Sequence, residues 1–231
     1  MTEGQIYKIH SDFYYIDDGI TTAVCKVREV LKKDNHPLFV GMGGDHSVSN
    51  PLIAGFDVLD KPIHVVQFDS HPDYAECSEG FVYTNAHPFR HVANMKHVKS
   101  LTQVGIRSVR AFNARDSIAD GNTIVTMKKF HKIGPQGVAE LLPEGEYCYV
   151  SIDIDALDCS LVPGCPSAEP NGMKFDELTE SLAALAKRMH IVGFDLVEVA
   201  PEMDVGNKIT SYLATMLVVQ FMGQICDQPY W

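Results

Sequence analysis

Short apolar runs that alternate with stretches of helical period leave this chain few ways to fold. PLFVGM (37–42), IHVVQFD (63–69), LTQVGIR (101–107), NTIVTM (122–127), YCYVSIDID (147–155) and IVGFDLVEV (191–199) each read as a buried strand. Between them, Ile20, Val24, Val27, Val30 and Leu31 share one helical face, with Asp18 placed as its cap. Further helices are expected from about Ser47, over 175–189 and over 207–223. The longest apolar stretch, within 212–226, reads as a buried helix, but Gln220 and Gln224 interrupt it, so a membrane span is not expected. Strands separated by helices predict an α/β fold with a mostly parallel sheet covered on both faces. At 231 residues, without a repeat or linker, residues 1–231 are expected to form one domain.

In such a sheet, ligands collect beyond the carboxyl ends of the strands. Four of these strands end in polar groups. PLFVGM runs into GGDHS, with Asp45 and His46; IHVVQFD into Asp69, His71 and Asp73; YCYVSIDID into Asp153 and Asp155; IVGFDLVEV into Glu198. Alone, each has a plain alternative: a solvated loop for DxHxD, a capped turn for GGDHS, an ion-pair partner for Glu198. In this order, each behind a strand, they form a set more specific than any member. Several carboxylates crowd one rim only if a cation neutralises them. The DxHxD spacing would turn alternate side chains at a strand end toward one centre. Carboxylates with two imidazoles suit manganese better than a structural zinc, and six ligands suit two ions about 3.5–4 Å apart.

The net charge of -11 argues against nucleic acid or an anionic membrane surface as partner and suits a small cation. Six cysteines without a CxxC pair, and no basic-then-apolar start, predict reduced thiols and a cytoplasmic setting.

GGDHSVS (43–49), FDSHPD (68–73), NAHPFR (85–90), SIDIDALD (151–158), PGCPSAEPNG (163–172) and GFDLVEVAPEMD (193–204) together resemble the ureohydrolase (arginase/agmatinase) family. The last segment and the placing of HPFR resemble its agmatinase branch. The resemblance implies a three-layer α/β/α sandwich, assembled as a trimer or hexamer. It implies that His46, Asp69, Asp73 and Asp153 hold one manganese ion. Asp69, His71, Asp153 and Asp155 would hold the other, with Asp69 and Asp153 bridging. By the same resemblance His87, rather than the neighbouring His91 or His97, shuttles a proton, and Glu198 grips the guanidinium of the substrate. Asp155 would accept a proton from the attacking hydroxide. The chain departs from the family at Ser70, Pro72 and Cys159, and its roughly forty residues before GGDHS are fewer than usual, so a shortened N-terminus is expected.

The implied reaction is hydrolysis of agmatine to urea and a primary amine. Arginine, guanidinobutyrate, guanidinopropionate and formimidoylglutamate are alternative substrates; one carrying a carboxylate would call on Arg90, His91, Arg107 or Arg110. The related one-zinc deacetylase fold ranks lower, because it lacks a ligand like His46 and the Asp153/Asp155 pair. A catalytically silent metal-binding homologue is the remaining alternative.

Overall fold

A computed structural model of the chain describes residues 16–33, 37–77, 83–108 and 111–228. Its six strands are β1 (Phe39–Met42), β2 (Ile63–Phe68), β3 (Val98–Ile106), β4 (Thr123–Thr126), β5 (Tyr147–Asp153) and β6 (His190–Val197). They make one sheet in the order β1-β6-β5-β2-β3-β4, and every pairing is parallel. The helices are α1 (Ile16–Leu31), α2 (Ser49–Ala54), α3 (Pro88–Ala93), α4 (Ala111–Ala119), α5 (Met127–Ala139), α6 (Phe175–Arg188) and α7 (Ile209–Cys226).

The three-layer α/β/α sandwich follows from period-two burial. Along β2 every residue is buried, yet Ile63 and Val65 join a core with α1, α2 and α3, whereas Val66 and Phe68 face α5, α6 and α7. In β5, Tyr149 faces the first layer and Cys148, Val150 and Ile152 the second. Both faces are thus covered, as a parallel sheet requires.

Strand order reverses between β2 and β5, since β3 and β4 add on one side and β6 and β1 on the other. A crevice opens at the carboxyl end of such a switch point. Phe68 pairs with Ile152, and Asp153 with Val197. Asp69, Asp153 and Glu198 therefore leave three neighbouring strands at one level.

Three local expectations are corrected. α1 begins at Ile16, so Asp18 lies inside its first turn and not at the cap position. The helix expected from Ser47 starts as a 3-10 turn over His46–Val48, and α2 proper begins at Ser49. α7 is only half buried. Leu217, Val218, Phe221 and Ile225 pack into the core, but Tyr212, Val219 and Met222 are 60%, 61% and 40% exposed. Packing against β6 and α6 covers one stripe of α7 and leaves an apolar outer stripe. Despite its two glutamines, α7 is long and apolar enough to cross a membrane by length and composition.

Candidate metal centre

Each predicted ligand reaches the crevice by a backbone device of its own. Gly43 and Gly44, at φ 82° and 80°, turn the chain sharply out of β1. Asp45 accepts the Ser47 N–H at 3.0 Å and stays exposed, so it shapes the turn that sends His46 inward. After β2 the ligands do not alternate along a strand, as their spacing suggested. Asp69 accepts the His71 N–H on Oδ1 at 2.5 Å, a local turn that lifts His71. Asp73 sits at φ 43°, a left-handed conformation uncommon for non-glycine residues. Gly105, at φ 99° beside a bulge in β3, lets that strand pass close to the loop, where a Cβ would stand 2.8 Å from the Asp69 carbonyl oxygen.

The six predicted ligands meet. His46 Nδ1 lies 3.0 Å from Asp69 Oδ2, 3.0 Å from Asp73 Oδ2 and 3.2 Å from Asp153 Oδ2. His71 Nδ1 lies 2.9 Å from Asp155 Oδ2 and 3.5 Å from Asp69 Oδ1. Asp155 N–H donates to Asp153 Oδ1 at 2.8 Å, and Ser70 donates to Asp155 through both N–H and Oγ–H. His46, Asp69 and Asp155 are wholly buried, and Asp153 is nearly so.

Glu198 sits in the left-handed region at φ 64°, just past β6, where its Oε1 accepts the His46 N–H at 2.8 Å. His87 stands just before α3, at its N-cap, and is buried; its Nδ1 lies 3.1 Å from the Ala75 carbonyl oxygen. α3 is tied to the ligand loop by the Phe89 N–H to Asp73 carbonyl bond, and the Phe89 ring packs edge-on against His46.

One atom tests whether a cation suits this cage. Ser151 Oγ donates to Asp195 Oδ1 at 2.7 Å, so at 2.9 Å from His46 Nε2 it accepts the imidazole proton. A neutral His46 then carries only a lone pair on Nδ1, which is buried and has no hydrogen-bond partner. That lone pair faces three carboxylate oxygens. Such an arrangement is repulsive unless positive charge sits among the four atoms. Protons can fill the cage only by suppressing the charge of its carboxyls, whereas divalent cations match the oxygen-rich donor set.

The titration behaviour follows from the crowding. Burial and the Asp69 charge push the Asp73 carboxyl up to about 7. Burial, Asp155 and Asp69 raise Asp153 well above the usual range. Burial opposes ionisation of Asp69 too, but in the cation-free protein His46 and His71 carry protons toward it and hold that group low. Burial alone would lower His46, yet Asp153, Asp69 and Asp73 raise it well above its ordinary value. Burial likewise disfavours the His71 cation, yet hydrogen bonds to Asp155 and Asp69 raise it to about 11. Below about pH 7 the cation-free protein therefore keeps a proton on Asp73, and below about 11 one on His71. Ligation must displace both, so divalent-cation affinity is expected to rise with pH, by about tenfold per unit for each proton released. Calorimetric titration with manganese at pH 6 and 8, in buffers of different ionisation enthalpy, measures both slope and proton release; equal affinities would contradict the shifts.

The structure adds residues that the sequence reading passed over. Ser151 and Asp195 support His46 from within β5 and β6, and Tyr149 donates to Asp195 at 2.8 Å. Their only signal was polarity at interior positions of two apolar strands. Cys165 brings its sulfur into the same cluster as Asp153 and Asp155. Glu169 Oε1 stands 3.8 Å from His71 Nε2. Of the cations suggested for a carboxylated substrate, Arg107 is engaged by five main-chain carbonyls, those of Gly105, Asp155, Leu157, Glu169 and Pro170. Arg90 binds the Tyr74 and Ala75 carbonyls and Asp116. Arg110 lies outside the described residues.

Comparison with known proteins identifies the family. The chain is 30% identical over 211 residues to the mitochondrial arginase 1 of Arabidopsis thaliana, covering 90% of this chain and 61% of that protein. It is 32% identical over 207 residues to a formimidoylglutamase of Halalkalibacterium halodurans, covering 86% and 64%. The solved proclavaminate amidinohydrolase of Streptomyces clavuligerus superposes with a TM-score of 0.82 at 30% identity, over 94% of this chain and 73% of that one. The chain thus spans little more than three fifths of the length of the curated relatives it matches. Agmatinase structures match at 21–23% identity and share the fold alone, so the agmatinase branch is not singled out. The sequence model of the arginase family aligns with residues 7–223, nearly the whole chain, and the protein belongs to that family.

Proposed function

We propose that this chain is a manganese-dependent amidinohydrolase that cleaves a guanidino compound, preferentially agmatine, to urea and a primary amine. The observation that carries the hydrolytic reading is the buried His46 Nδ1 lone pair facing Asp69, Asp73 and Asp153. His46, Asp69, Asp73 and Asp153 would hold one cation and Asp69, His71, Asp153 and Asp155 the other. When bound, such a pair supplies a hydroxide nucleophile near neutral pH.

The remaining work falls to side chains. A guanidinium carbon is a poor electrophile because its charge is spread over three nitrogens. Glu198, fixed by the His46 N–H, offers a free carboxylate oxygen to grip two of those nitrogens and hold the carbon in place. Burial raises its pKa, and a cationic substrate restores the ionised form. Asp155, fixed by Ser70, is the acceptor for the proton of the attacking hydroxide. The Ala75 carbonyl holds the His87 proton on Nδ1, leaving Nε2 to carry a proton to the departing amine.

Agmatine is favoured over arginine because its far end is a lone ammonium. Arg90 and Arg107 are already committed, while Glu169 stands by His71 and the Asp45 charge lies near Glu198. A panel of agmatine, arginine, guanidinobutyrate, guanidinopropionate and formimidoylglutamate, assayed for urea or formamide with manganese-loaded protein, tests this. Turnover of agmatine with at least about tenfold preference is expected. A preferred carboxylated substrate would overturn the substrate assignment, and no turnover of any would overturn the hydrolase. For His87→Asn, turnover is expected to drop about 10²–10⁴-fold with metal content retained; a loss below about tenfold would exclude the shuttle.

A further inference from the structure

A line of buried amides runs from the sheet into Asp69. Gln67 and Gln103 are register partners on β2 and β3, and both are wholly buried. Gln67 Nε2 donates to Asp69 Oδ2 at 2.5 Å and to the His71 carbonyl at 3.2 Å. Gln103 Nε2 donates to Gln67 Oε1 and to the Pro72 carbonyl. Ser117 of α4 donates to Gln103 Oε1 at 2.6 Å, and Asn122 Nδ2 donates to Ser117 Oγ at 3.3 Å.

The polarity of this line has one solution. The His71 and Pro72 carbonyls can only accept, so Gln67 and Gln103 must turn their nitrogens toward them, and the Gln67 nitrogen thereby also reaches Asp69 Oδ2. Gln67 then presents its oxygen to Gln103, whose own oxygen is left for the Ser117 hydroxyl. Both glutamines thereby use both N–H donors. Three of these four donors reach Asp69 Oδ2, the oxygen that faces His46, and the His71 and Pro72 carbonyls of the ligand loop; the fourth joins Gln103 to Gln67 Oε1. Two glutamines in a sheet interior would otherwise be costly, because each unmatched amide group loses its water without replacement.

We infer that Gln67, Gln103 and Ser117 form a one-directional relay of positioning residues that orients Asp69 and the 71–73 loop for both cations at once. This rests on the reading of the cluster as a paired-cation centre. Loss of the relay weakens both cation positions together, since Asp69 is shared and His71 and Asp73 belong one to each.

The test is manganese binding to Gln103→Met, which keeps side-chain length and removes the amide. Calorimetry of the full chain is expected to show both equivalents weakened about 10–100-fold, the usual effect of losing outer-shell support. The gain in melting temperature on adding manganese should shrink alongside. Ser117→Ala, a smaller change, is expected to weaken binding about 2–10-fold through one lost hydrogen bond. A Gln103→Met protein with parental circular dichroism and manganese affinity within twofold of the parent would overturn the relay. Should that variant not fold, unchanged affinity in Ser117→Ala would overturn it instead. A parent chain that binds no manganese would overturn both this inference and the reading beneath it.

Discussion

Replacing Asp153 by Ala is expected to lower bound manganese from two equivalents to one or none, and to cut turnover by well over 100-fold. Asp153 ends β5 at the switch point, its Oδ2 faces His46 Nδ1, and its Oδ1 accepts the Asp155 N–H. On the proposed ligand set, one truncation thus removes a donor common to both cation positions and frees the turn that aims Asp155. Loss of outer-shell support alone costs about 10–100-fold, so loss of a shared ligand should exceed that. The fold should survive, because burial makes the Asp153 carboxylate costly in the absence of a cation. Elemental analysis of the purified variant decides the matter: two retained equivalents would exclude Asp153 as a bridge.

Glu198→Gln should separate binding of substrate from binding of metal. Manganese content is expected to stay at the parental value, because Glu198 meets the cluster only through the His46 N–H. Exchanging the carboxylate for an amide removes the charged half of a partly buried ion pair with the guanidinium, a change worth about 3–4 kcal/mol at best. That corresponds to a drop of about 10²–10³-fold in kcat/KM. A glutamine can still accept the His46 N–H, so the backbone turn at φ 64° keeps its anchor. Steady-state kinetics with agmatine gives the result; a decline below about threefold would remove Glu198 from substrate recognition.

The strands and the convergence at their carboxyl ends could be read from the chain because they rest on strong local signals. YCYVSIDID is β-branched, aromatic and acid-terminated, and it becomes β5 with Asp153 as its last residue. The segments that escaped notice are those where local signals conflict. α5 contains Gly134 at φ 65° followed by Pro135, two breakers that hide its helical period, and the chain kinks there. α3 is only six residues long. Ligand geometry was harder still. DxHxD suggested alternation along a strand, yet β2 stops at Phe68, and a side-chain-capped turn does the work. Supporting groups such as Ser151, Asp195, Gln67 and Gln103 carry no pattern of their own, because only tertiary register brings them beside a ligand. The half-exposed α7 shows the same limit, since uniform apolarity does not say which stripe a sheet will cover.

Anomalous diffraction at the manganese edge, from crystals of the manganese-loaded protein, is the most direct measurement. Two peaks are expected, one among His46, Asp69, Asp73 and Asp153, the other among Asp69, His71, Asp153 and Asp155. Peaks only elsewhere, or none between these side chains, would contradict a paired-cation centre.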